Sequence, residues 1–451
     1  MRWFPTALLV LLLSGSAAPA FAGLHARGGP STTNNNDSCD IALLPAATLL
    51  LPYFEVDVAN VRGETTLFTV TNIGDAEQIA RVTIWTDRAY PVFSFNLYLT
   101  GYDVQSINLG DVIRDGRIAP PTGTGLGPSP TGMYSHSNPA LNVSACGDLP
   151  SQIPPSALQR VRQALTTGTI PASGNAPACP GVGDTSRRHP TAIGYVTIDV
   201  VASCETTLPT ETAYYRDVIR HDNVLVGEYQ QLNPALNFAQ GGPLVHIRSI
   251  RGEDGKTNFP NTFYGRFQSA AQPKLDGRQP LPSAFAARFI YDEFGGAFRT
   301  WIKIWRQGWT GPGVPCTAYK CNAKLQIVEF VTFDDEENAV GAAPNDGPVC
   351  TPIVLEFVTS AVVKAPMDRS GSFFPEPFWD ANNGWIYMNL AVEDEPVARQ
   401  AWVTSSMEAA GRFSVDTAAV ALGNGCSPAA ALSEIDPRGT VPVGPAPSVN
   451  P

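Results

Sequence analysis

The sequence predicts an all-β protein made of immunoglobulin-like or jelly-roll-like β-sandwich units, with long loops and little helix. Two observations predict this class. Short runs rich in β-branched and aromatic residues recur along the chain, and clusters of Gly, Asn, Asp and Pro separate them. Within the runs, apolar residues alternate with others, as Val82 and Ile84 do with Arg81, Thr83 and Trp85. Strands at such close spacing are typical of sandwiches and barrels.

The first half is predicted to hold seven strands and two helices. The strands are predicted at residues 66–71, 80–87, 92–99, 103–109, 192–203, 223–228 and 244–250. Leu158, Val161 and Leu165 recur at helical spacing, which predicts a helix over 155–167, and a short helix is predicted at 213–221. Two Gly/Pro-rich loops, 114–139 and 168–190, interrupt this half.

The second half repeats the β pattern. Strands are predicted at residues 284–291, 298–306, 325–333, 352–360, 384–392 and 401–406. Gly295-Gly296 lies between the first two and predicts a hairpin. Residues 289–305 echo residues 68–85, because in each segment the second of two predicted strands contains Ile-Trp. The echo indicates either a duplicated sandwich or two ordinary hairpins.

The N-terminus predicts export. Arg2 precedes a short uncharged apolar run, and Ala20-Phe21-Ala22 matches a cleavage pattern. The predicted organisation follows this order: a signal peptide at 1–22, a disordered lead at 23–40, an N-terminal β-rich domain at 41–260, a C-terminal β-sandwich domain at 261–426 and a flexible Pro/Ala-rich tail at 427–451. The predicted location is therefore secreted or periplasmic, with no transmembrane segment in the mature chain.

Charge and cysteine content narrow the class of protein further. The formal net charge of −11 is spread along the chain, which argues against nucleic acid as a partner. All 8 cysteines follow the signal peptide, which predicts disulfides in an exported chain. Cys316–Cys321 is the local candidate bridge, and Cys146–Cys179 is a second candidate that would pin the two long loops.

One strand presents a candidate ligand-binding face. Trp301, Lys303 and Trp305 alternate with Ile302 and Ile304, so the three lie on one side of the predicted strand. An exposed face of this composition would suit sugar rings or a protein partner. The alternative is that both indoles are covered by another layer, because Trp is usually largely buried.

The acidic run Asp334, Asp335, Glu336 and Glu337 is the candidate metal site. Clustered carboxylates can bind calcium, although the spacing of an EF-hand is absent. A solvated strand end is the more ordinary interpretation. The sequence predicts no other cofactor.

His246 and Arg248 share one strand face, and Asp199 on another strand is a candidate neighbour. Such a group would form a buried polar cluster or part of a cleft. No nucleotide-binding, G-x-S-x-G, H-E-x-x-H or C-x-x-C motif occurs. The sequence therefore favours a non-enzymatic protein, while a catalytic site assembled from distant residues stays open.

Four phrases point to a family. LPYFEVD at 51–57, YLTGYD at 98–103, DNVLVGEY at 222–229 and GWIY at 384–387 together resemble a group of exported bacterial proteins without an assigned activity. The resemblance implies export and nothing catalytic. The predicted function is a binding or structural protein of the cell envelope or secretome, with a glycan or an envelope protein as candidate partner. The alternative is a carbohydrate-binding or carbohydrate-active protein that uses the aromatic strand face.

Overall fold

The computed structural model describes the strands and most of their connections between residues 41 and 421. The described residues are 41–118 (except 88), 133–135, 153–167, 190–203, 207–268 (except 253, 254, 256, 258 and 260), 275–291, 298–307, 324–325, 329–336, 339–340, 357–358, 362–367, 382–390, 400–409, 411–412 and 414–421. The predicted signal peptide, lead and tail and all the cysteines lie outside them. The disulfide candidates therefore stay predictions.

The described residues of the first part of the chain form ten strands and one α-helix. They are β1 (Thr48–Asp57), β2 (Thr65–Asn72), β3 (Gln78–Thr86), β4 (Pro91–Leu99), β5 (Val104–Asn108), β6 (Met133–Ser135), α1 (Pro155–Thr167), β7 (Thr191–Val201), β8 (Leu225–Asn233), β9 (Phe238–Pro243) and β10 (Val245–Ile247). Short helical turns lie at Gly110–Arg114, Tyr214–Val218, Pro234–Leu236 and Gly265–Phe267. The predicted helix over 155–167 is confirmed, and Val161 and Leu165 on its apolar side are buried.

In the second part of the chain, the residues that the structure describes form eleven strands. They are β11 (Ala284–Ile290), β12 (Phe298–Arg306), β13 (Lys324–Leu325), β14 (Glu329–Phe333), β15 (Ala339–Val340), β16 (Phe357–Val358), β17 (Val362–Met367), β18 (Asn383–Asn389), β19 (Ala401–Ala409), β20 (Ser414–Ala418) and β21 (Val420–Ala421). Strand β17 lies where no strand was predicted, and it contains Lys364 and Pro366, which weaken the sequence signal for a strand.

Apart from the short pair β13 and β16, these strands build two antiparallel sandwiches, which confirms the predicted fold class. In the first sandwich, the six-stranded sheet β10-β1-β7-β3-β4-β6 faces the four-stranded sheet β5-β2-β8-β9. In the second, the five-stranded sheet β15-β14-β18-β11-β21 faces the four-stranded sheet β17-β12-β19-β20. Each sandwich encloses its own apolar core, because alternate residues on the facing strands point inward.

The two sandwiches share one arrangement of six strands. β2 pairs with β5 and β8 while β3 pairs with β4 and β7; in the second sandwich β11 pairs with β18 and β21 while β12 pairs with β17 and β19. Each set follows the same chain order and the same alternation between sheets. Strands β2, β3, β5 and β7 of the first sandwich take the places of strands B, C, E and F of the immunoglobulin arrangement. In the second sandwich, β11, β12, β18 and β19 take these places.

The predicted hairpin across Gly295-Gly296 is wrong. β11 and β12 belong to facing sheets, so the chain arches from one layer to the other. The hydroxyl of Thr300 links the two strands, donating to the carbonyl of Ile290 and accepting from its amide. The echoed segment of the first sandwich, β2 to β3, is the same kind of arch. Alternation defines the two faces of a strand but not its partner, which is why the sequence suggested a hairpin.

A third apolar cluster joins the two sandwiches back to back. It combines the outer face of the six-stranded sheet, including Trp85 and Tyr195, with Trp305 and Val362 from the second sandwich. The indole of Trp85 stacks on Tyr195 at 5.5 Å between ring centroids, and Tyr195 meets Trp305 edge-on at 5.8 Å. We call this contact the seam.

Candidate functional site

The aromatic face of β12 lies against the first sandwich rather than in solvent. Trp305 is 1% exposed and Lys303 is 5% exposed, while Trp301 is half-buried. Trp305 stacks on Phe263 at 5.6 Å in addition to its contact with Tyr195. The structure therefore places the three candidate residues in and beside the seam, where they do not form an open platform for a ligand.

Trp301 is the one member of this face at the margin of the seam. Its indole N–H donates to Oε1 of Glu408 at 2.9 Å. The ammonium of Lys364 lies 5.0 Å from the ring centroid, and Arg299 lies at 5.9 Å. Cations over an indole face are favourable, so these contacts fix the ring among side chains of its own sandwich.

Lys303 is buried between the sandwiches and is held by polar and aromatic groups of the first one. Its ammonium donates to Oε1 of Gln231 on β8. It also lies 5.6 Å from the ring centroid of Tyr53 and 5.9 Å from that of Phe238. A buried ammonium needs such partners to offset lost hydration, so Lys303 joins the sandwiches rather than awaiting a ligand.

Two glutamates that sequence reasoning did not select meet beside Lys364. Glu55 on β1 accepts hydrogen bonds from Tyr53 at 2.8 Å, from Thr191 at 3.0 Å and from Lys364 at 2.8 Å. Burial acts to raise the pKa of Glu55, but the charge of Lys364 and these hydrogen bonds outweigh it, so the pKa is lowered. Glu55 is therefore an ionised and fully bonded carboxylate at neutral pH.

Glu64, just before β2, is the second glutamate of this group. Burial and the charge of Glu55 raise the pKa of Glu64 to about 7, although Lys364 and Lys303 act in the opposite direction. The two glutamates therefore differ, because the pKa of Glu55 is lowered while that of Glu64 is raised.

A buried ionic cluster lies on the outer face of the six-stranded sheet. Asp199 accepts from the hydroxyls of Thr48, of Tyr214 at 2.9 Å and of Tyr264 at 2.8 Å. Arg278 lies 3.8 Å away, and both charged side chains have 0% exposure. Burial and the charge of Asp199 raise the pKa of both tyrosines, which keeps them as donors. With its charges paired and bonded internally, the cluster has the character of a structural element.

His246 does not join this cluster. On β1, Leu49 pairs with His246 of β10, whereas Thr48 pairs with Asp199 of β7 and with Ile247 of β10. Paired residues point to the same side of a sheet and neighbours along a strand point to opposite sides, so His246 and Asp199 lie on opposite sides of the sheet. The Nδ1 atom of His246 lies 2.9 Å from the carbonyl of Leu44. The predicted polar cluster around Asp199 exists, but its arginines are Arg278, which lies outside any strand, and Arg81, which is buried opposite Asp199 on β3.

The acidic run after β14 is a charged turn. Asp334 accepts a hydrogen bond from the amide of Glu336 at 3.0 Å, and Asp335 and Glu336 are exposed. Glu337 lies outside the described residues. Among the residues that the structure describes, no group of three or more His, Cys, Asp or Glu side chains is placed to hold a metal ion.

The outer face of the sheet β5-β2-β8-β9 forms a groove of about 840 Å³. It is lined by Leu43, Thr69, Thr71, Val104, Val226, Gly227, Glu228, Tyr229, Gln230, Leu232, Ala239, Gln240, Gly241, Gly242, Pro243 and His246. Among these described residues Glu228 is the one carboxylate, and none is Lys or Arg. Sequence reasoning missed the groove because alternating Thr, Glu and Gln are typical of any solvent-facing strand side.

Large exposed side chains mark one end of the groove. Leu43 and Val104 line it and are 69% and 57% exposed. Tyr102 precedes β5 at the same end, is 73% exposed and adopts a φ of 58°. A left-handed conformation is uncommon for a residue with a Cβ, and its amide is held by the carbonyl of Gly74 at 3.0 Å. The turn therefore holds an aromatic side chain out in solvent beside the groove.

Comparisons with family models, curated proteins and solved structures found no significant match to this chain. In the part of the chain that the structure describes, no helix is long and apolar enough to cross a membrane.

Proposed function

We propose that the protein is an exported, non-enzymatic binding protein that takes its ligand in the groove of the four-stranded sheet. One observation carries this proposal: the groove is open to solvent, whereas the main ionised groups elsewhere are bonded internally. Asp199 is bonded to Arg278 and two tyrosines, and Glu55 is bonded to Lys364. A recess lined by a few polar groups among apolar ones is the usual form of a ligand site.

The lining favours an uncharged, hydroxyl-rich ligand, and a neutral glycan fits best. Thr69 and Thr71 offer hydroxyls, and exposed Gln230 offers an amide that donates and accepts. The lining contains Glu228 and no lysine or arginine, so an anionic ligand would meet no ammonium or guanidinium group there. Exposed Tyr102 supplies an aromatic surface of the kind on which sugar rings stack. The aromatic face of β12 is covered by the first sandwich, so we propose that a carbohydrate binds in this groove and not at that face.

A glycan array probed with the full-length chain, with and without calcium, tests the proposal. We expect binding to neutral glycans that is lost in Thr69→Arg, because an arginine side chain would fill the groove floor. Val61→Arg adds the same charge at a residue that is 73% exposed and does not line the groove, so it should bind as the parent does.

Two outcomes would contradict the proposal. Absence of binding in both conditions would leave a structural role as the better account. Binding that survives Thr69→Arg would place the ligand elsewhere on the molecule. Export is tested separately, because N-terminal sequencing of the secreted chain should begin after residue 22.

A further inference from the structure

We propose that Lys303 and Gln231 join the two sandwiches covalently through an isopeptide bond, in which the lysine amine replaces the amide nitrogen of the glutamine side chain. This inference concerns the seam and does not depend on the groove. It rests on the contact between the two side chains, on their burial among aromatic rings and on a carboxyl group that the strands place on the same side of the sheet.

The two reacting groups already lie in contact across the seam. Lys303 belongs to β12 of the second sandwich and Gln231 to β8 of the first, and the Nζ atom of the lysine is hydrogen-bonded to Oε1 of the glutamine. The carbon that an amine would attack, Cδ, is one bond beyond Oε1. The amide nitrogen of Gln231 donates to the carbonyl of Tyr53 at 3.3 Å, which holds the other end of the amide. The amide is therefore oriented with its carbonyl group towards the amine, as a near-attack geometry requires.

The site is shielded from water. Gln231 is 1% exposed and Lys303 is 5% exposed. The rings of Tyr53 and Phe238 lie 5.6 Å and 5.9 Å from the lysine nitrogen. Removal from water disfavours the charged form of an amine, and the uncharged amine is the nucleophile. The same walls keep water from competing for the amide carbon.

Glu64 is the carboxyl group placed to accept a proton from the amine. Thr66 on β2 pairs with Gln231 on β8, and Glu64 precedes Thr66 by two residues, so all three side chains lie on one side of the sheet. The amide of Asp57 donates to the carbonyl of Glu64 at 2.8 Å, which fixes the backbone of Glu64 beside β1. The half-buried carboxyl group interacts electrostatically with Lys303. Strand pairing therefore brings an acid–base group to the same part of the seam as the amine.

The charges around the site allow this proton transfer. Two lysines of the second sandwich meet two glutamates of the first, and Lys364 forms a 2.8 Å ion pair with Glu55. A proton that moves from Lys303 to Glu64 leaves both of these groups uncharged and does not disturb the Glu55 pair, so no buried charge loses its partner. Burial and the charge of Glu55 raise the pKa of Glu64 to about 7, which suits a group that accepts and returns a proton near neutral pH.

The reaction is an amide exchange that needs no oxidant and no second reactant. The uncharged Nζ of Lys303 attacks Cδ of Gln231, so the Nζ–Cδ bond forms and the carbonyl electron pair moves to Oε1. When that pair returns, the Cδ–Nε2 bond breaks. Glu64 carries protons from Nζ to Nε2, and the nitrogen leaves as ammonium, so one ammonium side chain and one amide become one substituted amide and one ammonium ion. The product closes a loop between residues that are 72 positions apart and would restrict the unfolded chain as a disulfide does.

Mass spectrometry of the purified chain, reduced and denatured, tests the bond. We expect the parent to weigh less than its sequence by one molecule of ammonia. A tryptic digest should contain a branched peptide that joins the segment with Lys303 to the segment with Gln231. Lys303→Met should have its full sequence mass, whereas Arg299→Met, an exposed cation on the same strand, should lose ammonia as the parent does.

A second pair of variants tests the role of Glu64. Glu64→Gln keeps the size of the side chain but cannot carry the proton, so freshly purified chain should retain its full mass or lose ammonia more slowly than the parent. Glu228→Gln, at an exposed carboxylate in the groove, is the matched control and should lose ammonia at the rate of the parent. Loss at the parental rate in Glu64→Gln would overturn the assignment of Glu64 as proton carrier.

Two results would overturn the bond itself. A parent chain of full mass, with Lys303 and Gln231 recovered in separate linear peptides, would show that their contact is a hydrogen bond only. Loss of ammonia that persists in Lys303→Met would place the reaction elsewhere in the chain. If Lys303→Met fails to fold, the digest of the parent decides alone, because the branched peptide is either present or absent there.

Discussion

The first and second sandwiches share one arrangement of six strands but bury them differently. In the first, strands β1, β3 and β7 are buried on both sides, because the outer face of their sheet forms half of the seam. In the second, the five-stranded sheet is the outermost layer, and Trp385 on β18 is 38% exposed. The same arrangement therefore supports a doubly covered sheet at the centre of the molecule and a singly covered one at its edge.

Equivalent strands meet at the seam through equivalent residues. Val82 and Ile84 on β3 point into the first core, as Ile302 and Ile304 on β12 point into the second. Trp85 and Trp305, next to these isoleucines, both turn to the seam. The echo in the sequence thus marks the two surfaces by which the sandwiches contact each other. The shared strand arrangement favours the interpretation of this echo as a duplicated sandwich.

The comparison also shows a difference in polar content at the seam. The first sandwich contributes the buried ions Asp199 and Arg278, with 0% exposure each. The second contributes mainly indoles and aliphatic side chains, together with buried Lys303 and with Lys364 at the margin. Removing single groups from each side should therefore have unequal effects.

The largest effect is expected for Arg278→Met. This change breaks the buried ion pair with Asp199 and removes the hydrogen bonds that Arg278 donates to Thr48 and to three backbone carbonyls, so it should lower the free energy of unfolding by about 3–5 kcal/mol. Arg299→Met alters an exposed arginine beside Trp301 on the second sandwich and should cost less than about 0.5 kcal/mol. Urea unfolding of both variants measures the contrast. A loss below about 1 kcal/mol for Arg278→Met would show that the ion cluster is dispensable.

An intermediate effect is expected at His221 in acid. Burial, with the charges of Arg278 and Arg251, lowers the pKa of His221 to about 3, and Nδ1 lies 2.8 Å from the hydroxyl of Ser249. An unstructured histidine titrates near 6.5, so the unfolded state binds more protons and stability falls as pH drops below that value.

The measurement compares the parent with His221→Gln at pH 6.5 and pH 4.5. After a discount for partial exposure, we expect the parent to lose about 2 kcal/mol more than the variant between these values. The raised pKa of Glu64 has the opposite sign, because there the folded state binds the extra proton and stability falls as pH rises from 4.5 through 7. Parallel profiles for the parent and His221→Gln would contradict the shift.

The smallest effect is expected between the paired tryptophans. The indole N–H of Trp85 donates to the hydroxyl of Thr197 at 2.9 Å, whereas that of Trp305 has no hydrogen-bond partner among the described residues. Trp85→Phe and Trp305→Phe remove similar volume, but only the first removes a buried hydrogen bond. Trp85→Phe should therefore be the more destabilising by about 1 kcal/mol in thermal or urea unfolding. Equal losses would show that the bond to Thr197 contributes nothing.

The sequence predicted most of the first sandwich and less of the second. Strands such as β3 and β4 were predicted because their apolar runs are strong, and α1 because Val161 and Leu165 repeat at helical spacing. β17 was missed because Lys364 and Pro366 interrupt its pattern. Trp301, Lys303 and Trp305 do share one side of β12, as predicted, but the sequence did not indicate what covers that side.

The sequence by itself determined the all-β class, the position of the main strands and the side of each strand that turns inward, because a period of two records burial locally. Only the tertiary structure decided that β11 and β12 arch between sheets, that Trp85 and Trp305 meet, and that Glu55 lies against Lys364. These contacts join residues far apart in the chain, and strand alternation carries no information about which distant surface will cover a face. The groove arises for the same reason, since it exists only after β5, β2, β8 and β9 have paired.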